Sequence, residues 1–383
     1  MNNYKKQPFI PAIQKTSTLF ILSIIALLCF IVAINTRTIS VSPSYDIKVR
    51  AAELMQKAMS TLKNNRMEKS IFVDIENDPN ETGLVGTAYS QITTDEGDLD
   101  SKLTTLDPNF SAIVVDLLFQ MNLAKGDTVA VLLTGSMPGA NMAVLTACKA
   151  MDIYPVIISS LGASQWGANQ VDFTWLDMEK ILYAEGFISA HSISASIGGR
   201  NDMGRLLSPA GRKIITDNID FHGIPLINKG SLSKNIEHRM KLFSSVRKIG
   251  KYDGFINVGG GVASLGTSFN LKLLPPGIIS RENIVSIKRP GGIEGVLAKF
   301  VSEDVLALHI LNIRPLVESF KMPFAPIPVS PVGIGSLYAD EKYNVIVSAF
   351  CLLIVAGSVI VVGIQSKKKI KEHLVQHEPD SLL

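Results

Sequence analysis

A loop rich in glycine and small polar residues, TGSMPGAN at positions 134–141, is the first place where residue types and spacing could do chemistry. Gly139 would let the backbone approach a ligand closely, while Ser136 offers a hydroxyl group and Asn141 an amide. A helix that begins in this loop would point free N–H groups at the ligand, which favours an anion. The loop lacks the lysine of a P-loop, and it matches neither G-x-G-x-x-G nor G-x-S-x-G, because Thr134 occupies the first glycine place. A binding loop and a plain tight turn are both open readings.

Both tryptophans of the chain fall in or just after a second loop, SSLGASQWGANQ. Trp166 stands among small residues, beside Ser164 and Asn169, and packing alone is a poor reason for a tryptophan in such surroundings. We therefore expect these three residues to bind a ligand, with a structural loop as the alternative. Asp177 and Glu179 follow in a helix-like segment, where residues two apart point away from each other, so an acid/base pair is disfavoured.

A third loop, NVGGGVASLG, follows a short apolar run and has the composition of an anion-accepting nest of backbone N–H groups. A fourth, SIGGRNDMGR, carries Arg200 and Arg205, whose guanidinium groups could hold carboxylates through two parallel hydrogen bonds. A solvated surface loop is the alternative for these arginines. The candidates in the third loop are Gly259, Gly260, Gly261 and Ser264.

Several classes of active site are disfavoured by the residues that the chain lacks. Its six histidines show no spacing typical of a zinc site, so we expect neither a metal nor another cofactor. A serine protease triad could form only from distant residues such as Ser136, His191 and Asp202, which makes it a minor alternative. Cys148 lies in an Ala/Leu-rich segment, where a buried small side chain is favoured over a nucleophile.

The elements that must position these loops alternate between strands and helices. Apolar runs without polar alternation, joined by helices, are typical of a parallel sheet covered on both faces. The sequence therefore predicts an α/β fold with a mainly parallel sheet, in which ligands bind beyond the carboxyl ends of the strands. Beyond TVAVLL and YPVIIS, we expect strands at 186–193, 224–228, 254–258 and 305–310. Helices are expected at 107–121, 141–151, 175–184, 208–218 and 231–249.

The hydrophobic content is 46%, and the excess is concentrated in two runs without a charged residue. The runs at 16–36 and 343–366 are each long enough for one membrane-spanning helix. Lysines lie outside both runs, in the tails 1–15 and 367–383, and this predicts that both tails are cytoplasmic and that 37–342 forms one extracytoplasmic domain. A cleaved signal peptide is the alternative for the first run. Within the domain, 46–67 is predicted to be a stalk or packing helix and 315–331 a proline-rich extended connection.

The formal charge of +3 reflects this arrangement. The two tails together carry more positive charge than the whole chain, so the segment between them is close to neutral. The basic residues are therefore explained by orientation in a membrane with an anionic inner leaflet, and we expect no nucleic-acid partner.

With two flanking apolar runs and the motifs GSMPGAN, ASQWGAN, FTWLDME and NVGGGVASLG, the chain resembles the poly-gamma-glutamate system protein family. The resemblance implies a bacterial cell-membrane protein associated with the machinery that makes and exports poly-γ-glutamate, a capsule-type polymer. It also implies membrane synthetase and exporter subunits as partners, and an anionic polymer as ligand. It carries no catalytic residue over to this chain.

Two functions are therefore expected, from different classes. In the first, the outer domain binds the γ-glutamyl polymer or its precursor as a non-catalytic part of the export system. In the second, it is an extracytoplasmic enzyme that hydrolyses or transfers γ-glutamyl chains with a serine or a carboxylate of the loops within 134–179.

Overall fold

The computed structural model describes residues 9–285 and 293–376, so the ends of both predicted cytoplasmic tails lie outside the described residues. Strands lie at β1 Arg37–Val41, β2 Thr128–Thr134, β3 Tyr154–Ser160, β4 Asn169–Gln170, β5 Phe173–Thr174, β6 Ser192–Ser196, β7 Leu226–Ile227, β8 Gly254–Val258, β9 Gly277–Ile279, β10 Ala307–Ile310 and β11 Ala339–Tyr343. Helices lie at α1 Thr16–Asn35, α2 Tyr45–Glu68, α3 Leu99–Thr105, α4 Phe110–Gln120, α5 Pro138–Ala150, α6 Trp175–Ala184, α7 Pro209–Phe221, α8 Leu232–Val246, α9 Val262–Leu265, α10 Asn270–Leu273, α11 Arg281–Val285, α12 Val296–Ser302, α13 Ile313–Ser319 and α14 Val345–Gln376.

Residues 42–338 form one compact unit built on a seven-stranded sheet of order β7-β6-β3-β2-β8-β10-β9. All neighbouring strands in it are parallel except β9, which pairs antiparallel to β10 at one edge. The predicted α/β fold with a mainly parallel sheet is confirmed. The antiparallel edge strand has no counterpart in the predicted pattern.

Both faces of the sheet are covered by helices, and successive residues of each strand point to opposite faces. Along β2, Val129, Val131 and Leu133 pack with α2, α4 and α5, whereas Ala130 and Leu132 pack with α8 and α12 on the other face. This double coverage explains why β2 is a continuous apolar run without polar alternation.

A stalk helix and a packing helix are the two alternatives predicted for 46–67. Helix α2, which covers this segment, packs into the domain core, so the stalk interpretation is wrong. Ala51, Met55, Ala58 and Leu62 are fully buried in the larger core cluster. These small and flexible residues recur at helical spacing, so the helix lies flat against α4 and α5.

The proline-rich segment 315–331 is also not the extended connection that its composition predicts. Its first residues belong to helix α13, and later ones bond to the domain. The Ala325 N–H donates to Thr104 Oγ1, and Asn109 Nδ2 donates to the Ser330 carbonyl oxygen, at 2.8 and 2.9 Å. The segment is therefore part of the α/β unit.

The strand predicted at 186–193 is observed as β6, which begins only at Ser192. The chain turns at Gly186, where φ is +74°, so the start of the predicted segment is not a strand. The predicted strand at 254–258 and helix at 175–184 have the observed bounds of β8 and α6. Helix α6 starts where Thr174 and Asp177 form a reciprocal capping box.

Residues 1–41 and 339–383 form the second unit, as far as the structure describes them. Helices α1 and α14 contact each other, and β1 pairs antiparallel with β11, where Arg37 and Glu341 form an ion pair at 2.9 Å. Both helices are long and apolar enough to cross a membrane. Helix α14 continues beyond the predicted end of the second apolar run at residue 366.

Candidate functional site

The strand order places one cleft where the chain reverses its direction across the sheet. From β2 the chain adds β3, β6 and β7 on one side, and then returns to add β8 on the other side of β2. Loops that follow β2 and β8 therefore separate at their carboxyl ends, which is where open α/β sheets bind ligands. A cleft of about 1050 Å³ lies there.

The three glycine loops meet in this cleft, together with the loop that follows β6. Half of the predicted site residues line it, and the other half do not. The lining residues are Ser136, Ser164, Arg200, Gly259, Gly260 and Gly261. Gly139, Asn141, Trp166, Asn169, Arg205 and Ser264 do not line it.

Lys102 of helix α3 ties the first two loops together at the cleft wall. Its Nζ donates to the Ser136 carbonyl oxygen and, at 3.0 Å, to Ser164 Oγ. The Ser164 N–H in turn donates to Ser136 Oγ at 2.9 Å. The lysine is 5% exposed, and burial lowers its pKa to about 8, although the nearby Asp98 carboxylate opposes this shift. A buried amine that is easily deprotonated therefore touches two serines of the cleft.

The loop after β8 presents backbone N–H groups to the same space. Gly259 has a φ of +82°, and a side chain there would lie 2.5 Å from Thr134 Oγ1, so only glycine fits. The N–H groups of Gly260 and Gly261 have no acceptor among the residues that the structure describes. Thr134 Oγ1 is buried there without a hydrogen-bond partner in that same part of the chain. Donors without partners at the floor of a cleft are suited to an anion.

The loop after β6 is held in an unusual conformation by a buried ion pair. Asn201 and Asp202 have φ values of +59° and +61°, which non-glycine residues rarely adopt. Arg239 of α8 clamps the Asp202 carboxylate with two hydrogen bonds, at 2.7 and 3.0 Å, and also binds Ser196 Oγ. The clamp fixes the turn that carries Arg200 into the cleft.

Most of the predicted residues outside the cleft take part in packing or in hydrogen bonds within the α/β unit. Trp166 has a left-handed φ of +62°, and its partly buried side chain packs against the larger core cluster. Asn169 is fully buried and bonds both the N–H and the carbonyl oxygen of Thr87. Asn141 Nδ2 bonds the Thr134 carbonyl oxygen. The remaining predicted residues either pack closely or lie at the surface: Gly139 against Thr105, Ser264 buried in α9 and Arg205 exposed.

The serine, histidine and aspartate of the minor triad alternative do not meet. His191 precedes β6, whereas the cleft lies beyond the carboxyl end of that strand. Asp202 is engaged by Arg239. No group of side chains suited to a metal ion is found in the described part of the chain.

Asp177 and Glu179 are each committed elsewhere, as their spacing predicts. Asp177 caps α6 and contacts His222 Nε2 at 3.0 Å. Glu179 accepts hydrogen bonds from the N–H and the hydroxyl of Ser192, both at 2.9 Å.

Sequence reasoning missed three contributors to the cleft: Lys102, the acidic segment Asp95–Asp98 and Arg314 after β10. Lys102 and the acidic segment carry no local signal, since α3 and the segment before it precede the strand and loop alternation. Arg314 follows a predicted strand, and the rule that ligands bind beyond strand ends could have identified it.

Comparison of the chain with protein-family models, with curated proteins and with solved structures finds no match.

Proposed function

We propose that this protein is a membrane-anchored component of a poly-γ-glutamate synthesis and export system, and that its α/β domain binds the γ-glutamyl polymer or its precursor. The observation that carries the proposal is the exposed guanidinium of Arg200 in the cleft at the strand-order reversal. Its side chain makes no hydrogen bond or ion pair with any residue that the structure describes. A γ-linked chain keeps one α-carboxylate on every residue, and carboxylates are the groups that arginine binds best.

The charges of the cleft favour one end of such a chain as the bound part. Asp95, Glu96 and Asp98 line the same cleft as Arg200 and the glycine loop. Acidic side chains repel the uniformly anionic middle of the polymer, but they attract a free α-amino group. The terminal residue that carries both an α-amino and an α-carboxylate group therefore fits this mixed lining.

The membrane part of the proposal rests on α1 and α14 and on the lysines that flank them. With both tails in the cytoplasm, the α/β domain lies outside, on the side to which a polymer is exported. A bilayer and synthetase or exporter subunits are the expected partners, and nucleic acid is not expected. A reporter enzyme that works only in the cytoplasm should therefore be active when it is fused to either terminus. A reporter that works only outside the cytoplasm should be inactive at both termini, and its activity at either one would contradict this orientation.

The binding proposal is tested by titrating γ-linked oligoglutamate into the full-length protein in detergent micelles. We expect Arg200→Ala to weaken binding about 10- to 100-fold, since hydrogen bonds to charged groups contribute roughly 1.5–3 kcal/mol. Arg205→Ala is the matched control, because it removes an exposed arginine of the same loop that does not line the cleft. Equal losses in both variants would contradict the site.

Two further ligands sharpen the titration. An α-linked oligoglutamate of equal length carries a comparable number of carboxylates with different spacing, and we expect it to bind more weakly. A γ-linked chain with an acetylated amino end should lose affinity if the acidic residues hold the terminal amine. Equal binding of all three ligands would reduce the interaction to non-specific attraction between charges.

The contact between Lys102 and Ser164 favours a second function, the cleavage or transfer of γ-glutamyl chains in the same cleft.

A further inference from the structure

The pair formed by Lys102 and Ser164 has the geometry of a nucleophile and its base. Lys102 Nζ lies 3.0 Å from Ser164 Oγ, and both residues line the cleft. A serine hydroxyl becomes a nucleophile when an adjacent base can take its proton at hydrogen-bond distance. Ser164 Oγ has no other hydrogen-bond partner in the described part of the chain, so it can turn toward a ligand.

We propose that Ser164 and Lys102 form a serine–lysine dyad that cleaves or transfers amide-linked acyl groups, with Ser164 Oγ as the nucleophile and Lys102 as the general base. The proposed reaction class, acyl transfer from an amide, follows from the chemistry of the dyad alone. The substrate class, a γ-glutamyl amide, rests on the proposed function.

The burial of Lys102 makes its amine able to act as a base near neutral pH. An ammonium group that is 5% exposed loses hydration, and this lowers the pKa of Lys102 to about 8. At neutral pH roughly a tenth of such lysines are then uncharged, against far fewer than one in a hundred at the ordinary pKa of about 10.4. A base with a pKa near the working pH transfers protons most effectively.

Two half-reactions balance every atom. Ser164 Oγ forms a bond to the amide carbonyl carbon while its proton moves to Lys102 Nζ. The C–N bond then breaks, and the amine that leaves takes this proton, which produces an ester on Ser164. In the second half, a water molecule or an acceptor amine gives its proton to Lys102 and attacks the ester carbonyl, and the Ser164 oxygen leaves and recovers the proton.

Ser136 is placed to assist at the carbonyl oxygen. Its Oγ already accepts the Ser164 N–H at 2.9 Å, so its own hydroxyl proton remains available for donation. The Ser136 N–H likewise has no acceptor among the described residues. Two donors beside the nucleophile could stabilise the oxyanion that forms during attack.

The segments around the dyad are closely packed. A side chain at Gly135 would lie 2.4 Å from the Leu161 carbonyl oxygen, and one at Gly97 would lie 2.3 Å from that of Gln165. These contacts are too close for any residue but glycine, so the segments around Ser164 pack backbone to backbone. Such packing supplies the precise placement that nucleophilic catalysis requires.

Lys102 could instead serve only as a tie between the two loops, and the test must separate these roles. The full-length protein in detergent micelles is treated with a fluorophosphonate probe, and the modified residue is identified by peptide mass spectrometry. We expect labelling at Ser164, lost in Ser164→Ala, with a rate that rises between pH 6 and 10 around a midpoint near 8. A structural tie predicts no label at Ser164 or a rate that does not follow this titration.

Two variants complete this first arm. Lys102→Arg keeps a cation that can bond the Ser136 carbonyl oxygen but cannot act as a base, so labelling should fall at least 100-fold. Ser136→Ala should slow labelling of Ser164 about 10- to 100-fold without moving the label. Unchanged labelling in Lys102→Arg would overturn the dyad, and the pH profile of the unmodified protein decides the question if that variant does not fold.

The second arm measures the length of γ-linked oligoglutamate after incubation with the protein. Shortened or transferred chains that disappear in Ser164→Ala support the dyad and its substrate class together. Labelling of Ser164 without any change in chain length supports the dyad and contradicts the γ-glutamyl substrate. Binding of the oligomer without labelling of Ser164 overturns the dyad and leaves the binding function intact.

Discussion

Replacing Arg239 with methionine tests the buried ion pair on which the Arg200 loop depends. The two side chains of this pair, Arg239 and Asp202, are 1% and 2% exposed, and their guanidinium and carboxylate groups meet at 2.7 Å. Methionine keeps an unbranched apolar stem but lacks the guanidinium group, so both the charge and its hydrogen bonds are removed. Arg239→Met therefore leaves the Asp202 carboxylate buried without its cation.

The expected loss of stability follows from this geometry. Removal of one partner from a buried ion pair costs about 3–5 kcal/mol, because the other charge stays desolvated. Asp202 would keep hydrogen bonds from Ser196 Oγ and Asn235 Nδ2, at 2.7 and 2.9 Å, so we expect a value near 3 kcal/mol. Asp202 also has a left-handed φ, which costs roughly 1–2 kcal/mol and persists only while these contacts hold it.

Urea unfolding of the full-length protein, followed by tryptophan fluorescence, measures this loss selectively. Both tryptophans lie in the α/β unit, and Trp175 is fully buried, so the signal reports on that unit. The double variant with Asp202→Asn removes the unpaired charge, and we expect it to be at least 1 kcal/mol more stable than the sum of the single losses implies. Additive losses within about 0.5 kcal/mol would refute the reasoning, since uncoupled residues behave in that way.

Two further predictions concern a buried carboxyl group and a close glycine contact. Burial raises the pKa of Glu179 to about 7, although hydrogen bonds from Ser192 oppose the shift, so the folded state holds this proton more tightly than the unfolded state. Stability should therefore fall as pH rises from about 4.5 to 7, and Glu179→Gln should reduce this fall, with a gain of up to about 3 kcal/mol at pH 8 in urea unfolding; a pH profile parallel to that of the unmodified protein would contradict this. Gly135→Ala places a methyl group 2.4 Å from a backbone oxygen and should cost about 1–3 kcal/mol, whereas Gly250→Ala, with its nearest neighbour at 3.6 Å, should unfold at nearly the same urea concentration as the unmodified protein.

The parts of the fold that could be predicted are those in which local pattern and tertiary role coincide. Strand β8 is a short apolar run at the centre of a sheet covered on both faces, and α6 begins at its own capping box. Strand β6, SISAS, is not an apolar run. The hydroxyls of its serines bond neighbouring elements instead, as Ser194 does with the Pro225 carbonyl oxygen. A run of small polar residues gains its strand character only from those neighbours.

The same distinction separates the site residues that could be predicted from those that could not. Glycine loops follow strands directly, so the carboxyl-end rule points to Ser136, Ser164 and Gly260 from the sequence alone. The residue type of Trp166 predicts a ligand contact, but its side chain packs against the larger core cluster from a residue with a left-handed φ. Composition cannot reveal such a turn, since the φ of one residue depends on the loops packed around it.

The near-neutral sum of charges over residues 37–342 conceals a cleft that is lined by side chains of both signs. Lys102 comes from a helix that precedes β2, Arg200 from a loop after β6, and the acidic residues from the segment before α3. Their charges cancel in any sum over the sequence, yet in the cleft they act separately, because opposite charges at different points of a wall bind different groups of one ligand. A net charge therefore constrains how the whole domain is attracted to a polyanion, whereas the choice between a chain end and its middle depends on where each charge stands.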